Sequence, residues 1–383
     1  MTAPPPHPPV IPENELMPSW YELDNADEIP SPTLLIYPHR VRANLQRMIA
    51  WAGVDRLRPH VKTHKLPQII QMKLEAGIGK FKTSTIAEAE MTAAAGGRDV
   101  LLAYQPVGPN IRRLVELVRA FPQTQFSTIV DDTRIAQSLS EAAQRRQVNV
   151  DVLIDLNIGM NRTGIRPNAD AVALYRFLAA AKGLRPAGLH AYDGHIHDTD
   201  EALVRRQVAA AFEPVWDLRR ELVAEGLAVP KVVGCGTVSS RILAAEHDIE
   251  VSAGTSVLWD AGQPTFTPPM EVDQAAVLLA RVISRPAPGL LCIDLGYKAV
   301  ASEMQPPRVA FFGLDDAEAV GHSEEHLVLK TDRADDYPVG AVLYGVPTHI
   351  CPTVALHAEV WCVDNGRAVE PWPVVARARR ITI

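Results

Sequence analysis

Arginine, histidine and lysine occupy alternate positions in the run Arg58-Pro59-His60-Val61-Lys62-Thr63-His64-Lys65. Read as a strand, period two sends Arg58, His60, Lys62 and His64 to one face and Val61 to the other. On an exposed strand such a row meets water and nothing more. In a closed parallel barrel the outer face is covered by helices, so the same row points into the mouth, where chemistry occurs. A desolvated lysine there, flanked by other cations, can attack a carbonyl carbon and form a Schiff base.

Three further groupings carry chemistry. His195 and His197 follow Tyr192 and Asp193 at the end of an apolar run; an imidazole suits general-base work near neutral pH, and the spacing does not choose between the two. Gly236-Thr237 and Gly254-Thr255 pair small residues with free backbone N–H groups and hydroxyls. Placed after the seventh and eighth strands of a barrel, they would make a phosphate site. Either pair alone is also an ordinary helix-capping turn. Finally, His349-Ile350-Cys351 sets an imidazole and a thiol two residues apart, donors that suit zinc and leave positions open for water or a substrate oxygen.

These residues need a scaffold. From about residue 55, short apolar runs alternate with amphipathic helical stretches. Strands are expected at 57–62, 80–85, 99–104, 125–130, 150–155, 187–192, 231–234 and 250–253, with helices such as 67–76, 87–95, 110–120, 133–144, 170–181 and 200–225 between them. Helix-long connections require right-handed crossovers and a parallel sheet, and eight units point to an α/β fold, a (β/α)8 TIM barrel. A doubly wound open sheet competes, but no Gly-x-Gly-x-x-Gly follows the first strand. After residue 271 strands dominate, at 275–283, 290–295, 309–312, 326–330, 341–344 and 357–363, which marks a C-terminal β-rich domain. The expected division is a proline-rich extension over 1–30, the barrel over 31–270, with strand 31–37 a candidate member of the β domain, and the β domain over 271–383.

The bulk numbers agree with an ordinary globular chain of 383 residues, 47% hydrophobic and 22% charged. A formal charge of −7 with no basic stripe argues against nucleic acid or anionic membrane as partner. No apolar run approaches the roughly 18 residues of a membrane span. The stretch 1–12 is proline-rich without a basic and apolar leader, and the four cysteines are scattered, so a reduced, cytoplasmic protein is expected.

Taken together, the Arg58–Lys65 run, Met160-Asn161-Arg162-Thr163-Gly164, Asp294-Leu295-Gly296-Tyr297-Lys298-Ala299, Ser323-Glu324-Glu325-His326 and His349-Ile350-Cys351-Pro352-Thr353 resemble the D-threonine aldolase/D-serine dehydratase family, relatives of alanine racemase. The likeness runs from Ser31-Pro32-Thr33-Leu34 to the C-terminus. It implies a pyridoxal 5′-phosphate lyase, usually a homodimer, acting on a β-hydroxy-D-amino acid. Lys62 would carry the cofactor; His60, Arg162, Tyr192, Gly236, Thr237, Gly254 and Thr255 would contact it. His195, His197 and Tyr192 join Lys62 as catalytic candidates. His349 and Cys351 would hold a divalent metal, zinc or manganese with magnesium a further option, near the substrate hydroxyl. Retro-aldol cleavage to glycine and an aldehyde is the expected reaction. The alternative is dehydratase-type β-elimination of D-serine or D-3-hydroxyaspartate to a keto acid and ammonia, since Cys351 stands where dehydratases carry cysteine. A pyridoxal-phosphate homeostasis protein without catalysis is the reading from another class.

Overall fold

The computed structural model describes residues 19–263 and 270–383; the proline-rich stretch 1–12 lies outside them. The elements in chain order are β1 (Thr33–Ile36), α1 (Pro38–Ala52), α2 (Pro67–Glu75), β2 (Lys80–Thr83), α3 (Ile86–Ala94), β3 (Asp99–Leu102), α4 (Pro109–Ala120) and β4 (Gln125–Val130). They continue with α5 (Thr133–Arg146), β5 (Val150–Leu156), α6 (Ala169–Ala180), β6 (Leu184–Ala191), α7 (Glu201–Ala224), β7 (Val232–Gly234), α8 (Ser240–Glu246) and β8 (Glu250–Val251). Two compact units divide the described residues: one takes 45–256, 270 and 378–383, the other 19–44, 257–263 and 271–377.

In the first unit, strands run parallel in the order β2-β3-β4-β5-β6-β7-β8. The crossover helices begin where the sequence supplies caps. Thr85, Asp132, Asn168 and Asp200 each accept a backbone N–H from the first turn of α3, α5, α6 and α7. Leu101, Ile129, Leu153, Ala187 and Val233 pack inside the ring.

The strand expected over 57–62 is a correction to the sequence reading. Only two isolated parallel bridges occur there, Leu57 to Val251 and His60 to Lys82. They nevertheless join β8 to β2, with Arg58 N–H donating to the Val251 carbonyl (3.0 Å) and Lys82 N–H to that of Pro59 (3.2 Å). Pro59 has no N–H to offer a ladder, and the chain then coils into a 3-10 turn, Val61–Thr63. The barrel is thus seven strands closed by a bridging segment. Coiling also breaks the period-two row. Arg58 is fully buried at the strand-starting end, bidentate to Asp99 (2.7 and 2.8 Å) and bonded to Glu250 (2.6 Å), which also binds Lys80 (2.7 Å).

The second unit is antiparallel around β9 (Ala276–Ser284). Further strands are β10 (Leu290–Ile293), β11 (Val309–Phe311), β12 (Glu318–His322), β13 (Leu327–Lys330), β14 (Val342–Pro347), β15 (Glu359–Asp364) and β16 (Arg367–Pro373). The path is β12-β13-β10-β9-β1-β15-β16, with β14 also on β9. Leu35 and Tyr37 from the start of the chain pack with Val277, Leu279, Tyr344 and Val363. One short helix, α9 (Ile350–Leu356), follows β14 where the sequence offered no helical period.

Among the described residues no helix is long and apolar enough to cross a membrane.

Candidate active site

Lys62 stands half-buried in the turn that follows the bridging segment. His60 caps this turn: its Nδ1 accepts the Lys62 backbone N–H at 3.2 Å, so a neutral ring carries its proton on Nε2. Burial, followed by the charges of Lys62 and Lys82, holds the His60 pKa well below the usual histidine range. Gly254 runs directly against this turn. A β-carbon at Gly254 would lie 2.8 Å from the His60 Cβ and 3.0 Å from Thr63 Oγ1, so only glycine permits the approach. The loop carrying Gly254 and Thr255 is thereby fixed beside Lys62.

His64 leaves the mouth altogether. It is fully buried, its Nδ1 accepts from Leu66 N–H (3.1 Å), and its Nε2–H is left to donate to Lys73 Nζ at 3.0 Å. Burial lowers the Lys73 pKa to about 7, which favours its uncharged amine beside this ring.

Tyr192, just past β6, is the centre of the opposite wall. The Arg162 guanidinium lies 4.9 Å from its ring centroid and Lys82 Nζ 5.7 Å. A small cavity is lined by Asp155, Asn157, Met160, Arg162, His190 and Tyr192 among others. Within it His190 Nδ1–H donates to Asp155 Oδ1 at 2.6 Å. Burial first, and then Lys82, lower the His190 pKa, so its buried Nε2 presents a lone pair that no group among the described residues fills. Asp155 is held below the usual carboxylate range by His190, against the opposing effect of its burial.

The two sequence-expected histidines separate. His195 lies over Gly159, where a β-carbon would come within 2.8 Å of His195 Nε2 and a φ of +125° disfavours any other residue. That contact ties the β6 loop to the loop carrying Arg162. His197 is exposed and donates from Nδ1 to the His195 carbonyl at 2.8 Å. Gly236 and Thr237 follow β7 as expected, but the Gly236 N–H is taken by Asp193 Oδ1 at 2.6 Å. Burial raises the Asp193 pKa.

Does this mouth fit a pyridoxal phosphate? Besides His190 Nε2, the hydroxyls of Ser252 and Ser256, flanking Gly254-Thr255, are buried without partners among the described residues. Each unfilled polar atom costs about 1–3 kcal/mol, and a ligand rich in acceptors and donors would relieve them. Cationic Lys62, Lys82 and Arg162 suit its negative charge. The residues fit the group.

In the β unit, His349 caps α9 and Cys351 lies in its first turn. His349 Nδ1 contacts Glu303 Oε1 at 2.7 Å, while Asp260 Oδ2 accepts Ile350 N–H at 2.9 Å. The His349 pKa is raised to about 9, first by its hydrogen bond to Cys351 and then by that group's charge and Glu303, against desolvation. Among the described residues no group of three or more histidine, cysteine or carboxylate side chains gathers as a ligand set. The pair still fits a divalent ion with open positions: nitrogen and sulfur donors, with a carboxylate on the second ring nitrogen to orient the imidazole.

Lys82, His190, Asp155, Glu303 and Asp260 were not anticipated as site residues. For Lys82 and Asp155 a signal existed. Lys80-Phe81-Lys82 and Asp151 to Asp155 place charges on alternate positions of strands that must be buried on both faces, the same argument applied to Arg58–Lys62. Glu303 and Asp260 had none, since only the tertiary fold brings them to α9.

A parallel α/β barrel with a lysine turn at its mouth, joined in one chain to an antiparallel β unit, defines the alanine racemase-like class of pyridoxal-phosphate proteins. Residues 36–259 match the alanine racemase N-terminal domain family and residues 275–363 the putative serine dehydratase domain. The D-threonine aldolase of Arthrobacter sp. is 31% identical over 92% of this chain and 94% of its own. The crystal structure of D-threonine aldolase from Filomicrobium marinum superposes with a TM-score of 0.85 at 30% identity, covering 93% of this chain and 97% of that one. D-threo-3-hydroxyaspartate dehydratase from Delftia sp. HT23 gives a TM-score of 0.78 at 26% identity over 91% and 98%. The chain belongs to the D-threonine aldolase/D-serine dehydratase family, built on the alanine racemase fold. Solved variants of a D-threo-3-hydroxyaspartate dehydratase include a histidine-to-alanine change and, two positions on, a cysteine-to-alanine change in a metal-free form.

Proposed function

We propose that this protein is a pyridoxal-phosphate lyase that cleaves the Cα–Cβ bond of β-hydroxy-D-amino acids by retro-aldol reaction, giving glycine and an aldehyde. The observation that carries this reading is likeness to D-threonine aldolases over more than nine-tenths of the chain, with Lys62 at the barrel mouth. Bound pyridoxal phosphate would supply an aldehyde for the amine and a ring that stabilises negative charge at Cα. Lys62 would hold it, with His60, Arg162, Tyr192, Gly236, Thr237, Gly254 and Thr255 around it. A divalent metal, zinc or manganese, on His349 and Cys351 would supply Lewis acidity toward a hydroxyl.

The chain's own groups do the rest. His60, its proton fixed on Nε2, holds the Lys62 turn in shape. Arg162 and Tyr192 form a stacked plate that orients a planar ligand. His190, locked by Asp155, offers an acceptor at Nε2. His195 or His197 removes the proton from the β-hydroxyl; the C–O double bond forms as the Cα–Cβ electron pair passes to Cα. Lys62 can return a proton to that carbon. A homodimer in the cytoplasm completes the reading.

One observation favours β-elimination as second reading: the His349-x-Cys351 pair has the spacing of the histidine and cysteine altered in the D-threo-3-hydroxyaspartate dehydratase variants. Incubating the metal-loaded protein with D-threonine and D-serine separates the two. Glycine plus aldehyde supports cleavage; keto acid plus ammonia would replace it with elimination; a yellow protein with neither product would leave a cofactor-binding protein without catalysis.

A further inference from the structure

Lys82 is the strangest charge in the barrel. It points inward from β2 with 3% of its surface exposed, and among the described residues its side-chain amine has no hydrogen-bond acceptor. Of the carboxylates within electrostatic reach, Asp155 is bonded to His190 and Asp193 takes the Gly236 N–H on Oδ1; Asp193 Oδ2 has no partner among the described residues, yet neither carboxylate bonds Lys82. Its position is also fixed. Lys82 N–H is bonded to Pro59, so the base of the side chain is tied to the segment that leads into Lys62. The amine lies 5.7 Å from the centroid of the Tyr192 ring, which Arg162 also approaches. Lys82 and Arg162 thus share the Tyr192 ring, and Lys62 lies close enough to Lys82 to act on its charge. A buried ammonium without an acceptor is costly, and its pKa falls to about 8, chiefly through desolvation. An anionic oxygen placed among these groups would remove that cost.

We propose that Lys82 is an oxyanion receptor of the barrel mouth, a binding residue whose ammonium takes a negatively charged oxygen of the bound ligand. The inference rests on the pyridoxal-phosphate reading above. Two sources carry such an oxygen, the ring hydroxyl of the cofactor and the carboxylate of the amino acid. A charge-assisted hydrogen bond at a buried site corresponds to a change of roughly ten- to a hundredfold in binding.

The test compares the wild type with Lys82→Met, Lys82→Gln and Lys82→Arg. Two quantities are measured: the Kd of 4-deoxypyridoxine 5′-phosphate, which keeps the ring hydroxyl but lacks the aldehyde, and the KM of D-threonine with the cofactor loaded. If the ring oxygen is the guest, Lys82→Met weakens the analogue ten- to a hundredfold and Lys82→Arg recovers most of the loss. If the substrate carboxylate is the guest, analogue binding is unchanged. The KM of D-threonine then rises by the same factor, while inhibition by D-threoninol, which has no carboxylate, is unmoved. Should Lys82→Met fail to fold, Lys82→Gln removes the charge at similar length and is read in the same way. Both quantities within threefold of wild type, or a loss that Lys82→Arg does not recover at all, would overturn the proposal. A wild-type protein that binds neither cofactor nor analogue would instead sink the parent reading, and this one with it.

Discussion

The two ends of the barrel hold similar charges in opposite states. At the strand-starting end, Arg58, Lys80, Asp99 and Glu250 bond one another, and the buried guanidinium uses both faces of its fork. At the mouth, among the described residues, Lys82 has no acceptor, His190 keeps an unfilled nitrogen, and two serine hydroxyls go unpaired. A closed network leaves nothing for a ligand to improve. An open one stores unmet hydrogen-bonding capacity, which is what a binding site requires.

The sharpest way to break this contrast is Lys62→Ala. Turnover should fall by on the order of 10³-fold or more, with the visible cofactor band lost and the melting temperature nearly unchanged; a yellow, active variant would remove Lys62 from its role. The converse change is Arg58→Met. Leaving the half-buried Asp99 without its fork and Glu250 with Lys80 alone should cost about 3 kcal/mol of stability, read by urea unfolding, while kcat of the folded protein stays within a few-fold. Stability unaffected by this change would show that the closed network is ornamental.

A pH dependence follows from the same pair. Burial alone would raise Asp99 and Glu250, but Arg58 holds both below their ordinary values. Depressed carboxylates stabilise the fold above their unfolded pKa, near 4. That contribution disappears as pH falls through the lower folded values. Wild-type stability should therefore fall more steeply than that of Arg58→Met below about pH 4; equal slopes in denaturation at pH 3 to 5 would contradict it.

Asp155→Asn tests a residue that belongs to both states. Its loss frees the His190 ring to rotate and change tautomer, so kcat should fall roughly ten- to a hundredfold and its pH profile should shift. An unaltered profile would make the pair merely structural. The smallest expected effect separates His195→Ala from His197→Ala. Both rings are exposed, but His195 lies over Gly159 beside the loop of Arg162, so its removal should cost about tenfold more than that of His197. Equal mild losses in both would exclude a histidine base.

The sequence conveyed the alternation of strands and helices well, because each strand is apolar and each crossover helix has its own cap. It misled over 57–64. Period two assumes an extended chain, and Pro59 followed by the 3-10 turn sends Arg58, Lys62 and His64 to three different surroundings. β12 and β16 escaped notice for a related reason. They are the outer strands of their sheet, polar in one case and carrying Pro371 and Pro373 in the other, and edge strands need neither an apolar pattern nor every N–H. Residues such as Glu303, meeting His349 from 46 positions away, leave no mark in a linear pattern.

β1 has a consequence for how the molecule comes into being. It sits between β9 and β15, antiparallel to the first and parallel to the second, so a strand made early on the ribosome must wait for the last third of the chain before it has neighbours. A fragment beginning at residue 271 would be born with a gap through its middle and two bare flanks. It should stick to other chains unless the missing strand is supplied as a separate peptide.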